Sequence, residues 1–135
     1  MGTPHLITAS DLRDLGDDPK LRVVDATVHL RFGDGAPQIE SGQASYLAGH
    51  IPGAVNRPFT GALNPDGTYR DADGLRTHLN TDNAPTIAYC GSGVSATPNL
   101  LARELAGMPL GPQNRLYPGS WSDWITDPER PGETG

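Results

Sequence analysis

Cysteine is almost absent from this sequence. Cys90 is the one cysteine among 135 residues, so no internal disulfide can form and stability rests on packing. A chain of that kind is at home in a reducing compartment, and a cytoplasmic location is expected. Long hydrophobic runs are missing as well. No apolar stretch approaches the roughly 20 residues needed to cross a bilayer. The N-terminus lacks a basic region followed by an apolar one, so the sequence reads as soluble and unprocessed. Basic clusters are the third absence. A formal net charge of -6, with no grouping of Lys or Arg, argues against nucleic acid and membrane surfaces as partners. A small anionic substrate stays open, because a local ring of N–H groups outweighs distant charge screened by salt. The histidines (His5, His29, His50 and His78) are scattered without ligand spacing, so no metal and no other cofactor is expected.

What is present reads as strands alternating with helices. Thr8-Ala9-Ser10-Asp11 resembles a capping box and opens a short helix from Asp11 to Leu15, ended by Gly16-Asp17-Asp18-Pro19. Leu21 to Ala26 reads as a buried strand that closes on Asp25. The Gly-, Ser- and Gln-rich stretch from Arg31 to Gly49 reads as loop with at most one helical turn. A turn at Gly49-His50-Ile51-Pro52-Gly53 leads into a short strand, Ala54 to Asn56. A loop on Asn64-Pro65-Asp66-Gly67 and a helix from Asp73 to Leu79 come next. A strand from Thr86 to Tyr89 precedes a glycine loop and a helix from Ser95 to about Ala106. Pro98 lies early in that helix and argues for a slightly later start. Leu116-Tyr117 reads as a last strand and Ser120 to Ile125 as a short helix capped by Ser120. The Pro- and Gly-rich tail from Asp127 is expected to fray. One α/β domain over residues 1–135 is expected, with a mainly parallel sheet of about five strands and helices on both faces.

Ligands in such folds sit at the C-terminal ends of the strands. Asp25 and Cys90 both fall at strand ends and are expected on one rim. Cys90 lies where Thr86-Ile87-Ala88-Tyr89 meets Gly91-Ser92-Gly93-Val94-Ser95, under the start of a helix. Backbone N–H groups gathered there favour thiolate over thiol, which marks Cys90 as a sulfur nucleophile. A buried core cysteine is the plainer alternative, and the flanking glycines weigh against it. A serine hydrolase is excluded by the lack of G-x-S-x-G, since Cys90 stands two residues before Ser92.

Cys90-Gly91-Ser92-Gly93-Val94-Ser95 resembles the active-site loop of the rhodanese-type sulfurtransferases, closest to the 3-mercaptopyruvate branch with its C-G-S-G-V-T. Three more stretches match in the family's order. Val24-Asp25-Ala26 with Arg31-Phe32 is similar to V-D-A/S-R and the R-F/Y that follows it. Gly49-His50-Ile51-Pro52-Gly53-Ala54-Val55-Asn56 matches G-H-I-P-G-A-x-N. Tyr117-Pro118-Gly119-Ser120-Trp121-Ser122-Asp123-Trp124 resembles Y-x-G-S-W-x-E-W. The resemblance implies a rhodanese-like domain that moves a sulfane sulfur from a small anionic donor to a thiol, cyanide or thioredoxin-like acceptor. A persulfide on Cys90 is the implied carrier. It implies Gly91, Ser92, Gly93, Val94 and Ser95 as the cradle for substrate, Arg31 as the partner of the donor's acid group, and Asp25 and Ser120 as supports. His50 and Trp121 read as packing residues.

The departures matter for the donor. Thr27 stands where the family usually has an arginine two residues after the aspartate. No arginine lies between Arg31 and His50, where the mercaptopyruvate branch has its second. Arg57 is a candidate for the missing charge. Mercaptopyruvate is the favoured donor and thiosulfate the alternative. Family members commonly carry two such domains with the cysteine in the second, and this chain resembles that second domain, with an N-terminal partner domain as a further expectation. A phosphatase of this fold needs arginine six positions after cysteine, where this chain has Ala96. A non-catalytic binding or regulatory module is the remaining reading, against which the retained Cys90 counts.

Overall fold

The computed structural model of the chain describes residues 6–31, 38–41, 49–79, 84–91 and 93–134, with the backbone alone for 28–31 and 38–41. The elements run α1 (Ala9–Leu15), β1 (Arg22–Asp25), β2 (Val28–Arg31), β3 (Gln38–Ser41), β4 (Val55–Asn56) and a 3-10 turn (Phe59–Ala62). They continue with α2 (Ala72–Leu79), β5 (Thr86–Tyr89), α3 (Thr97–Leu105), β6 (Asn114–Leu116) and α4 (Ser120–Trp124). The main sheet has the order β4-β1-β5-β6, and every neighbouring pair is parallel. Leu6 adds a single parallel rung beside Leu116. About five strands are expected from sequence. Among the described residues there are four, with that rung at the edge.

Strand β5 explains why both faces are covered. All four of its residues are buried, and successive side chains in a strand point to opposite faces. Ile87 and Tyr89 join Ile7, Leu12, Ile51, Tyr117 and Trp124 on one face, under α1 and α4. Ala88 and Cys90 join Ala26, Ala96 and Leu100 on the other. There α2 and α3 pack through Leu75, Leu79, Ala102 and Ala106 around Ala62. The small residues on this second face let α3 approach β5 closely.

Several boundaries differ from the sequence reading. Thr8 Oγ1 accepts from the Asp11 amide at 3.1 Å, so α1 starts at Ala9 rather than Asp11. Helix α3 starts at Thr97, which places Pro98 in the first turn, where its missing N–H has no helical partner to lose. Strand β6 begins at Asn114 rather than Leu116. Part of the stretch expected as loop is a two-stranded antiparallel pair, with Val28 opposite Ser41 and Arg31 opposite Gln38. Val28-His29-Leu30-Arg31 and Gln38-Ile39-Glu40-Ser41 do alternate, but each alternation is four residues long and the Gly-, Ser- and Gln-rich composition around them hid it. The tail is tied down where fraying is expected. His50 and Glu133 exchange main-chain bonds of 2.8 and 2.9 Å. The Gly53 amide donates to Glu133 Oε2 at 2.9 Å, and Trp124 Nε1 donates to the Pro131 carbonyl at 2.7 Å. Among the described residues no helix is long and apolar enough to cross a membrane.

His78, at the end of α2, joins that helix to the 3-10 turn. Its Nε2 bonds the Pro58 carbonyl at 3.0 Å, and a Cβ on Gly61 would run into the ring. Burial holds His78 below its ordinary value of 6.5. The Pro58 carbonyl opposes that shift, and the charges of Arg57 and Arg70 add to it. A group whose folded pKa is depressed resists protonation in the native state, so the unfolded chain binds the proton first. Stability from His78 is therefore full above pH 6.5 and declines as pH falls from there toward its folded value. Melting temperatures measured between pH 7.5 and 5 are expected to fall more steeply for the wild type than for His78→Gln. Equal slopes would remove His78 from the acid response.

Candidate functional site

Asp25 and Tyr89 are register partners at the ends of β1 and β5. The next residue after Tyr89 is Cys90, so Asp25 and Cys90 share the C-terminal rim of the sheet. The Tyr89 carbonyl accepts the Ala26 amide at 2.8 Å, while its hydroxyl accepts the Ile51 amide at 3.0 Å. With Tyr89 anchored in one core, the strand alternation turns Cys90 to the other. Its side chain is 2% exposed, against Ala26, Ala88, Ala96 and Leu100.

The sulfur has polar company within that apolar setting. The Gly93 amide donates to Sγ at 3.0 Å, and Ser120 Oγ lies 4.0 Å from Sγ. Among the described residues Gly93 is the one whose amide reaches the sulfur. Gly91 faces the other way, with its carbonyl bound to Ser122. Val94 is 72% exposed, and its carbonyl accepts the amide and hydroxyl of Thr97 at 3.2 and 2.7 Å. Ser95 is half-buried in the turn before α3. Ser92 lies outside the described residues. Arg31 ends β2 opposite Gln38, and its side chain is likewise outside the description.

Ser120 is not a helix cap. Gly119 precedes α4 with no side-chain cap, and the Ser120 hydroxyl instead accepts the Cys90 amide at 3.1 Å and donates to the Tyr117 carbonyl at 3.0 Å. It does so with φ at +58°, a conformation that costs a non-glycine residue. The Asp25 carboxylate is committed within its own turn. It accepts the Thr27 amide at 2.8 Å and also the Thr27 hydroxyl. Thr27 thus makes a local polar closure where a longer basic side chain would project. The Asp25 carbonyl holds the Arg57 amide at 2.7 Å, and Asn99 Nδ2 donates to the Arg57 carbonyl at 2.7 Å. Arg57 follows β4, two strands or about 10 Å from Cys90, and its guanidinium donates to the Asn56 carbonyl at 2.8 Å.

The segment after β6 closes the site from behind: the resemblance implied Ser120 as a support there, and the main chain of Trp121 and Ser122 joins it. The Trp121 amide donates to the Cys90 carbonyl at 2.9 Å, and the Ser122 amide to the Gly91 carbonyl at 3.0 Å. The Trp121 ring packs on Gly49, where a Cβ would come within 2.8 Å of it. Tyr117 stacks edge-on against Trp124 at 6.2 Å and donates its hydroxyl to Asp123. Burial, helped by Asp123, raises the Tyr117 pKa, so the phenol stays a neutral donor. The signal in the sequence was the Tyr117 to Trp124 motif, which pointed to Ser120 and not to the amides beside it.

Gly93 is required by two facts. Its φ is +92°, and a Cβ there would collide with the Pro118 carbonyl oxygen. Gly93→Ala is expected to lower stability by about 2 kcal/mol in urea unfolding. Gly91→Ala, whose Cβ would meet nothing within 4 Å, is expected to change it by no more than about 1 kcal/mol.

A model of the rhodanese-like domain matches residues 8–127. The chain is 42% identical over 135 residues to a probable 3-mercaptopyruvate sulfurtransferase of Pseudomonas aeruginosa, covering 96% of this chain and 45% of that protein. It is 37% identical over 113 residues to a putative thiosulfate sulfurtransferase of Mycobacterium tuberculosis, covering 81% of this chain and 37% of that one. The crystal structure of a 3-mercaptopyruvate sulfotransferase from Escherichia coli superposes with a TM-score of 0.66 at 27% identity, covering 90% of this chain and 43% of that one. The chain therefore spans less than half the length of these relatives.

Proposed function

The chain belongs to the rhodanese-like domain family, and from that premise we propose that it is a sulfurtransferase acting through a persulfide on Cys90. The observation that carries this reading is the Gly93 amide held 3.0 Å from Sγ at the rim of the sheet. An amide in that place stabilises the Cys90 thiolate, both as the attacking nucleophile and as the leaving group of the second step. The cycle is a two-step covalent transfer. With mercaptopyruvate, the Cys90 thiolate attacks the donor sulfur and the donor's C–S bond breaks. The electron pair of that bond passes to the carbon beside the ketone, which stabilises it as an enolate. Protonation releases pyruvate, and the sulfur stays on Cys90 as a persulfide. A thiol acceptor then attacks the outer sulfur, and the inner sulfur leaves as thiolate.

Arg31 is assigned to the donor's carboxylate, as a charge-assisted pair. Arg57, on the same rim, offers a second cation. Gly91 to Ser95 form the loop around the reacting sulfur, with Asp25 and Ser120 supporting it. Mercaptopyruvate is preferred as donor on the Cys-Gly-Ser-Gly loop. The similarity to a protein named as a thiosulfate sulfurtransferase makes thiosulfate the second reading.

Incubation with each donor followed by mass spectrometry is expected to show a single added sulfur on Cys90, and none on Cys90→Ser. Equal sulfur release by the two proteins would point to a binding module instead. The kcat/KM for mercaptopyruvate is expected to exceed that for thiosulfate, and the reverse order would overturn the donor assignment. Arg31→Ala is expected to raise the donor KM by at least about tenfold, given the strength of a hydrogen-bonded charge pair. An unchanged KM would take Arg31 out of the site.

A further inference from the structure

The Cys90 loop has an external support that no family motif names. Ser122 is an exposed residue of α4, and its hydroxyl donates to the Gly91 carbonyl at 2.6 Å. Its own amide donates to the same oxygen at 3.0 Å. One residue thus occupies both lone pairs of the Gly91 carbonyl. The neighbouring contacts run in step: the Ser120 hydroxyl takes the Cys90 amide at 3.1 Å, and the Trp121 amide takes the Cys90 carbonyl at 2.9 Å. Three consecutive residues therefore hold three polar groups of the Cys90 and Gly91 backbone.

We propose that Ser122 is a positioning residue for sulfur transfer, its hydroxyl fixing the Gly91 carbonyl so that the Gly93 amide stays on Sγ. The inference rests on the sulfurtransferase reading for its effect on rate, and on geometry alone for its effect on the loop. Chain entropy is the physical link: Gly91 and Gly93 are two residues apart, so holding the Gly91 carbonyl shortens the stretch of backbone free to carry the Gly93 amide away from Sγ. Gly91 has no Cβ to restrict it, so its orientation depends on such external bonds more than that of any other residue type would. The Ser122 hydroxyl is the one contact in this set that a side-chain change removes without touching the buried core or the strained Ser120.

Removal by Ser122→Ala is expected to slow sulfur uptake by Cys90 about fivefold, with donor KM unchanged. Ser122→Thr, which keeps the hydroxyl, is expected to restore the rate. Amide hydrogen exchange at Gly93, read by NMR on the sulfur-free protein, is expected to quicken by a similar factor in Ser122→Ala and to return in Ser122→Thr. The exchange measurement does not depend on activity. A wild type that takes up no sulfur would defeat the functional reading while leaving the Gly93 exchange to decide the positioning role. Gly93 exchange at the wild-type rate in Ser122→Ala would overturn that role.

Discussion

The grip of residues 120–122 on the backbone of Cys90 and Gly91 is the contact on which the rest of the site depends. A strand end followed by a glycine loop has many backbone conformations open to it, and ordering it costs about 1–2 kcal/mol per residue. The Ser120 hydroxyl and the amides of Trp121 and Ser122 oppose that cost directly. They also satisfy buried polar groups that would otherwise lack partners. The Gly93 amide can then remain on the sulfur.

That grip is possible because β6 lies next to β5 in parallel, with Tyr117 leaving the sheet beside the Cys90 loop. The Tyr117 amide continues the ladder to the Ala88 carbonyl at 3.0 Å. The chain then turns through Pro118 and Gly119 and delivers α4 under the loop. The cost of the turn is concentrated at Ser120, whose positive φ is held by hydrogen bonds on both sides of its hydroxyl. On the opposite flank, Asp25, Thr27, Arg57 and Asn99 form a second chain of main-chain and side-chain bonds along the same rim. The Cys90 sulfur lies between two firmly bonded walls, over an apolar floor of Ala26, Ala88, Ala96 and Leu100.

Much of the architecture was legible because it follows local rules. The buried apolar runs at Val23-Val24 and Ile87-Ala88 marked the two central strands, and the strand–helix alternation marked a parallel sheet. Pro98 foretold the delayed start of α3. The misses have other causes. The β2–β3 pair carries an alternation of only four residues a strand, set in Gly-, Ser- and Gln-rich sequence. The tail looked frayed by composition, yet Glu133 pairs with His50, far away in sequence. Ser120 looked like a cap because serine before a helix usually is one, but its hydroxyl is drawn to the Cys90 amide 30 positions earlier. In the last two cases long-range pairing overrode the local preference.

What the sequence by itself determined was the family and the place of its one cysteine, set among glycines at a strand end. Those features are legible locally because a tight loop at a strand end needs close backbone approach, and glycine permits it. What only the tertiary structure decided was how that backbone is held. The partners of Cys90 and Gly91 lie on α4, and the Asp25 carbonyl holds the amide of Arg57. A hydrogen bond between distant residues leaves no periodic trace in a sequence, since it depends on where the sheet brings two segments together.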